Sequence, residues 1–141
     1  MFPAHIPKRT RSGPGIHTAV TTHVTSLCPC SKAISDYGAH NQRSEITLEI
    51  TGTADAPYPL PAHEIVDLLR ATGSAPVIPL IKRPDERVVT MQAYDHPVFL
   101  EDIIRDISLI CPDKALTHTV TAKNLESIHS HDAIATLHHT C

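Results

Sequence analysis

Two stretches in the first third of the chain show the period of two that is typical of β-strands. Residues 16–27 (IHTAVTTHVTSL) are rich in β-branched residues, which favour strands. Residues 44–51 (SEITLEIT) alternate strictly, with Ile46, Leu48 and Ile50 on one parity and polar residues on the other. The pattern predicts two strands, and the second of them should bury one face against the core.

Two later stretches carry apolar residues at the spacing of an amphipathic helix. The first should begin near Pro61 and end near Gly73, because proline fits the first turn of a helix and glycine its C-terminal end. The second should begin near Pro97 and end at Pro112. Its apolar stripe consists of Phe99, Leu100, Ile103, Ile104, Ile107 and Ile110. The pattern therefore predicts two helices, each with one face directed at a core.

The remaining segments complete the predicted order ββααββ. Residues 74–95 contain three prolines and the charged run KRPDER, and they predict a long ordered loop of the kind that often carries function. Residues 115–122 and 127–137 predict two closing strands. This order favours an α+β fold in which a four-stranded antiparallel sheet has two helices on one face. An uncovered sheet face and exposed sheet edges favour assembly into a homo-oligomer.

The composition is that of one globular domain. Of the 141 residues, 41% are hydrophobic and 19% are charged. Residues 1–15 hold three prolines and two glycines, which predicts a flexible leader before a domain at residues 16–141. A formal net charge of −3 argues against a nucleic-acid groove, and no apolar run is long enough to span a membrane. We therefore expect a cytoplasmic protein with no nucleic-acid partner and no membrane partner.

Side chains that can carry chemistry concentrate in residues 26–44, SLCPCSKAISDYGAHNQRS. The chain has eleven histidines and four cysteines. Cys28 and Cys30 are separated by a single proline, so a disulfide between them would be strained. A thiolate at Cys28 and an imidazole at His40 could together bind a divalent cation. A buried structural cysteine beside a solvated histidine is the alternative interpretation.

The last predicted strand contains a pair of histidines, His129 and His131. Residues two apart on a strand point to the same side of the sheet, so both rings could face one site. A row of polar side chains facing solvent is the alternative. Together with Cys28 and Cys30, the pair could also form a structural zinc site.

Charged residues on the predicted loop and the second helix could bind a substrate. On the loop, Glu86 offers an oxygen ligand, and Lys82 and Arg83 could bind an anion such as phosphate. A solvated charged loop is the alternative. Glu101 lies at the edge of the helix's apolar stripe, where its carboxylate could bind the paired donors of a guanine. The alternative is a surface ion pair with Arg105, four residues later.

Four segments, taken in order, resemble the signature segments of GTP cyclohydrolase IB. They are TSLCPCSKAISDYGAHNQRS, LIKRPDERVVT, YDHPVFLEDIIRD and LESIHSHDA, and the similarity covers residues 18–135. That family has the tunnelling fold, or T-fold, whose unit follows the order ββααββ. The resemblance covers mainly the C-terminal half of the family's usual chain. We therefore expect a single T-fold unit here, without the family's N-terminal T-fold half.

The resemblance implies a metal-dependent enzyme that hydrolyses C8 of the guanine ring of GTP. The products would be formate and 7,8-dihydroneopterin triphosphate, in the first step of folate and pterin biosynthesis. The implied cofactor is a divalent metal ion (Mn, Zn or Fe), and the implied metal ligands are Cys28, His40, Glu86 and His131. Cys28 and His40 would also be catalytic. The residues implied to bind substrate are Glu101, Lys82, Arg83 and His129.

The resemblance also implies that sites form between T-fold units of a homo-oligomer. Lys32 and Arg43 are further candidates for binding the triphosphate. The alternative function is that of a truncated, non-catalytic T-fold unit that binds a metal ion or a purine.

Overall fold

A computed structural model describes residues 15–111 and 116–140. Five strands form one antiparallel sheet in the spatial order β3-β1-β2-β4-β5. The strands are β1 (His17–Leu27), β2 (Asn41–Thr51), β3 (Ala75–Pro76), β4 (His118–Leu125) and β5 (Ala133–His139). The helices are α1 (Pro29–Ile34), α2 (Ala62–Arg70), α3 (Arg83–Asp95) and α4 (Leu100–Ile110). The predicted α+β class with an antiparallel sheet is confirmed.

The core lies between one face of this sheet and helices α2 and α4. Ile46, Leu48 and Ile50 of β2 are buried, as their shared parity predicts. They pack in one cluster with Ile65 of α2 and Ile103 of α4. Burying side chains of this size stabilises a fold by about 1.5–3 kcal/mol each. The two predicted helices and the first two predicted strands are therefore confirmed.

The prediction of a loop over residues 74–95 is wrong. This segment contains the short strand β3, which adds a fifth strand at the edge beside β1, and the thirteen-residue helix α3. Pro84 lies in the first turn of α3, where its missing N–H costs no hydrogen bond. Only Ala93 of α3 is buried, so the sequence shows no apolar stripe from which this helix could be predicted.

The last predicted strand is also partly wrong. Its first residues, Ser127–Asp132, form the connection between β4 and β5, and β5 begins only at Ala133. The short helix α1 was not predicted either, since none of its residues is buried. The predicted end of the second helix agrees with α4 ending at Ile110. Pro112 itself and residues 1–14 of the predicted leader lie outside the described residues.

The face of the sheet opposite the core is polar. A row of threonines crosses four strands through Thr21, Thr47, Thr121 and Thr136. The hydroxyls of Thr21 and Thr47 are 2.8 Å apart. Within the described residues, the helices are too short or too polar to cross a membrane.

Candidate functional site

Cys28 lies at the junction of β1 and α1, and the local backbone holds it in place. It is the N-cap of α1, and its Sγ accepts a hydrogen bond from the amide of Ser31 at 3.4 Å. Pro29 follows in the first turn, where proline favours helix initiation. The amide of Cys28 donates to the carbonyl oxygen of His40 at 3.0 Å. The backbones of the two predicted site residues are thus joined directly.

The return from α1 to β2 brings His40 back to the start of α1. Gly38 has a φ of +80°, a conformation that residues with a side chain rarely adopt. A Cβ placed at Gly38 would meet nothing within 4 Å, so the backbone conformation and not crowding calls for glycine there. The amide of His40 then donates to Oγ of Ser31 at 3.2 Å. This turn therefore places the backbone of His40 beside the start of α1.

Four polar side chains with little solvent exposure lie behind His40, on strands β1, β2 and β4. They are Ser26, Gln42, Ser44 and Asn124. Ser26 pairs with Gln42 across β1 and β2, and Ser44 pairs with Asn124 across β2 and β4. Hydrogen bonds connect all four side chains. We call this set the buried polar relay.

A cavity of about 170 Å³ brings together three of the predicted site residues, Cys28, His40 and Glu101. Cys28 and His40 come from the two ends of the α1 connection, and Glu101 comes from the first turn of α4. The rest of the lining consists of Pro29, Gln42, Val98, Phe99, Leu100, Asn124, Glu126 and Ala133. The cavity thus combines a thiol, an imidazole and carboxylates with an apolar wall.

Glu126 is a residue of this cavity that the sequence analysis did not single out. Its Oε2 atom is buried, and no hydrogen-bond partner for it lies among the described residues. Its amide donates to a carboxylate oxygen of Asp132 at 3.3 Å, across the β4–β5 connection. The sequence feature that could have indicated Glu126 is its position three residues before His129 in the segment LESIHSHDA.

His129 and His131 lie on the β4–β5 connection and not on a strand. Their rings are stacked, with centroids 5.4 Å apart and 23° between the planes. The His129 ring also meets the His40 ring edge-on, with centroids 6.1 Å apart. The loop thus brings His129 beside His40 and leaves His131 one ring farther away. Both side chains are exposed.

The predicted residues of the KRPDER segment lie elsewhere, at the start of α3. Lys82 is the N-cap of α3, and Arg83 and Glu86 occupy its first turn. Glu86 lines a different cavity, of about 360 Å³, together with Asn41, Arg43 and other residues. Arg83 and Glu86 also line a shallow depression of about 330 Å³. All three α3 residues are exposed, and none lines the cavity of Cys28 and His40.

Lys32 has a partner within the fold. Its Nζ donates to the carbonyl oxygen of Tyr94 at 2.6 Å and lies 4.1 Å from the centroid of the Tyr94 ring. The side chain therefore joins α1 to the C-terminal turn of α3, where a positive charge is favourable.

In residues 15–111 and 116–140, no three histidine, cysteine or acidic side chains lie close enough together to hold a metal ion.

Comparison with known proteins gives one consistent family. A family model described as type I GTP cyclohydrolase folE2 matches residues 3–135. Among curated relatives, GTP cyclohydrolase FolE2 of Dichelobacter nodosus is 42% identical over 126 residues, which are 88% of this chain and 47% of that protein. FolE2 1 of Dechloromonas aromatica is 49% identical over 121 residues, covering 84% of this chain and 44% of that protein. FolE2 of Neisseria meningitidis MC58 is 47% identical over 114 residues, covering 79% and 37%.

These matches confirm the resemblance to a GTP cyclohydrolase. The designation they carry is folE2, where the sequence resemblance pointed to the designation IB. The chain spans less than half of the length of these relatives, because the matched parts are 37% to 47% of their chains.

Proposed function

Because the chain belongs to the type I GTP cyclohydrolase folE2 family, we propose that it carries the catalytic cavity of a metal-dependent GTP cyclohydrolase. The reaction is hydrolysis of C8 of the guanine ring of GTP, which releases formate and 7,8-dihydroneopterin triphosphate for folate and pterin synthesis. The observation that supports this proposal most is the shared cavity of Cys28, His40 and Glu101. These residues come from two separate signature segments, and the fold places them around one space.

The size of the cavity supports a site that is completed by a second copy of the chain. Pockets for small molecules usually enclose about 300–1,000 Å³, and this cavity encloses only about 170 Å³. Lys82, Arg83 and Glu86 lie on the exposed side of α3, from which a neighbouring copy could be reached. We therefore propose a homo-oligomer in which α3 of one copy completes the cavity of another.

The types of donor group around the cavity suit a divalent metal ion of intermediate softness. The described residues of one chain do not bring three such donors close enough together, so a neighbouring copy would supply the remaining ligands. A cysteine thiolate, an imidazole and a carboxylate suit zinc, iron or manganese. Cys28 and His40 would hold the ion, and Glu86 and His131 are the further candidate ligands. The unpaired Oε2 of Glu126 adds a carboxylate oxygen at the same cavity. When bound, the metal ion would supply the positive charge that lowers the pKa of an attacking water.

The remaining residues would bind and orient the nucleotide. Glu101 can accept hydrogen bonds from two neighbouring N–H groups on the guanine edge, which selects guanine over adenine. We assign to His129, whose ring centroid lies 6.1 Å from that of His40, the role of donating a proton to the departing ring nitrogen. Lys82 and Arg83 would bind the triphosphate, because both are exposed cations without a carboxylate partner among the described residues.

The proposal is tested by loading the purified protein separately with Mn²⁺, Zn²⁺ and Fe²⁺ and measuring formate release from GTP, alongside the mass of the assembly. Cys28→Ala should abolish formate release while the circular dichroism spectrum stays unchanged, because the thiol contributes no core packing. Turnover retained in that variant would contradict the role of Cys28. Absence of turnover in every metal-loaded sample of the unaltered protein would refute the proposal for this chain.

Two further variants separate the alternatives. Glu101→Gln should weaken GTP binding. Asp106→Asn changes an acidic residue five positions further along the same helix and outside the cavity, so this variant should bind GTP normally. A protein that binds GTP in this Glu101-dependent way without releasing formate would be the non-catalytic unit. Unfolding of Cys30→Ala would instead favour a structural zinc site, because removing a ligand of such a site unfolds the domain.

A further inference from the structure

The buried polar relay leads to His40, and its geometry constrains where the His40 proton lies. Gln42 is the link. Its Nε2 atom is 2.6 Å from the carbonyl oxygen of Ser26 and 3.0 Å from Oγ of Ser26. A carbonyl oxygen can only accept a hydrogen bond, so the amide nitrogen of Gln42 must face Ser26. The amide oxygen of Gln42 therefore faces the other way.

The amide oxygen of Gln42 contacts the ring of His40. Oε1 of Gln42 is 2.7 Å from Nδ1 of His40. An amide oxygen has no proton to donate, so Nδ1 must carry the proton of this hydrogen bond. In the neutral ring Nε2 then keeps a free lone pair. A neutral imidazole binds a metal ion through such a lone pair. Neutral histidine in water prefers the opposite tautomer, with the proton on Nε2.

Ser26 holds Gln42 in this orientation, because both hydrogen bonds of the Gln42 amide nitrogen go to Ser26. The Ser26 hydroxyl accepts from Gln42 and donates to Oδ1 of Asn124 at 3.2 Å, and Ser44 donates to the same oxygen. None of the four side chains is more than 7% exposed. Turning the Gln42 amide over would place its oxygen against the Ser26 carbonyl oxygen, away from water that could compensate.

We propose that Gln42 is a positioning residue that fixes His40 in the Nδ1–H tautomer, so that Nε2 is free to bind the metal ion. The link to metal binding rests on the proposed function. The tautomer itself depends only on the hydrogen bonds of the metal-free protein. The two claims can therefore fail separately.

The tautomer is measured by two-bond ¹H–¹⁵N correlation spectra of metal-free protein labelled with ¹⁵N-histidine, under conditions where the ring is neutral. The His40 signals are those absent from the spectrum of His40→Asn. We expect a protonated Nδ1 and an unprotonated Nε2 in the unaltered protein. Gln42→Met removes the acceptor at similar length and should shift His40 toward the Nε2–H form.

Two variants control for loss of packing. Ser44→Ala removes a hydroxyl that bonds neither Gln42 nor His40, and Gln42 keeps both hydrogen bonds to Ser26, so the tautomer should stay unchanged. Gln42→Leu also removes the acceptor at Nδ1 and should shift His40 toward the Nε2–H form, so it replaces Gln42→Met if that variant does not fold. An Nε2–H signal for His40 in the unaltered protein would overturn the proposal. So would a tautomer that does not change in Gln42→Met.

Metal affinity, measured by competition with a chromophoric chelator, tests the consequence. Loss of such a supporting hydrogen bond typically lowers affinity about 10- to 100-fold, and we expect this loss for Gln42→Met but not for Ser44→Ala. Equal affinities for Gln42→Met and the unaltered protein would overturn the role toward the metal. If the tautomer is as proposed but the unaltered protein binds no metal ion, the proposed function fails and the tautomer assignment stands.

Discussion

The two groups of predicted site residues lie in opposite surroundings. Cys28 and His40 are half-buried, their backbones are hydrogen-bonded to each other, and His40 rests against the buried polar relay. Lys82, Arg83 and Glu86 are exposed at the start of α3, Lys82 as its N-cap and the other two in its first turn. Among the described residues, none of these three side chains takes part in an ion pair.

This difference shows which part of the site the chain organises by itself. Groups held within the fold are positioned before any ligand arrives, which is what a metal ligand or catalytic residue needs. Exposed cations on a helix keep their rotamer freedom until they meet an anion or a partner. The cavity wall is thus preorganised, whereas the exposed side chains at the start of α3 are not held in one position by the fold. Three predictions test this contrast through the free energy of unfolding in urea.

The largest effect is expected for Asn124→Leu. This change removes the oxygen that accepts hydrogen bonds from Ser26 and Ser44, so two buried hydroxyls lose a partner. The loss of stability should be about 1–3 kcal/mol. The matched control is Asn41→Leu, at an exposed position of β2, which should change stability by less than about 0.5 kcal/mol. Equal effects of the two substitutions would show that the relay does not stabilise the cavity wall.

An intermediate effect is expected for Gly38→Ala. Alanine would be forced into the positive φ that Gly38 adopts, which costs roughly 1–2 kcal/mol. Gly38→Asn should lose less, because asparagine tolerates this region better. The ordering Gly, Asn, Ala is the measurement that matters. An alanine variant as stable as the unaltered protein would mean that the turn before His40 can change its conformation freely.

The smallest effect on stability is expected for Glu86→Gln. The side chain is exposed, so the free energy of unfolding should change by less than about 0.5 kcal/mol. Under the proposed function, formate release should nevertheless fall sharply, whereas Asp85→Asn on the same helix turn should retain it. A stability loss as large as that of Asn124→Leu would remove the contrast between the two regions.

The strands and helices that border the core could be predicted because their patterns are regular. The alternation of β2 and the apolar stripe of α4 are each visible within a dozen residues. Helix α3 was missed because it buries only Ala93, and β5 was placed too early because Ser127–Asp132 has no distinguishing pattern. Prediction thus succeeded where burial imposes a period and failed where the segment is exposed.

Part of the buried polar relay is visible in the alternation of residues along β2. Gln42 and Ser44 have the same parity as Ile46 and Leu48, so polar residues continue the buried face of β2 toward its N-terminal end. Polar side chains on a buried face need partners, and such a run indicates either a network or a site. The identity of the partners was not visible, because Ser26 and Asn124 are separated by 98 positions.

Residue types, local periods and extended motifs were enough to predict the chemical groups, the core elements and the resemblance to a GTP cyclohydrolase. Tertiary structure decided which groups meet. The strand order joins Ser26, Gln42, Ser44 and Asn124 behind His40, and it places Glu126 at the cavity and Glu86 away from it. The physical reason is that periodicity constrains neighbours within one element, whereas contacts between distant elements depend on how the sheet and helices pack.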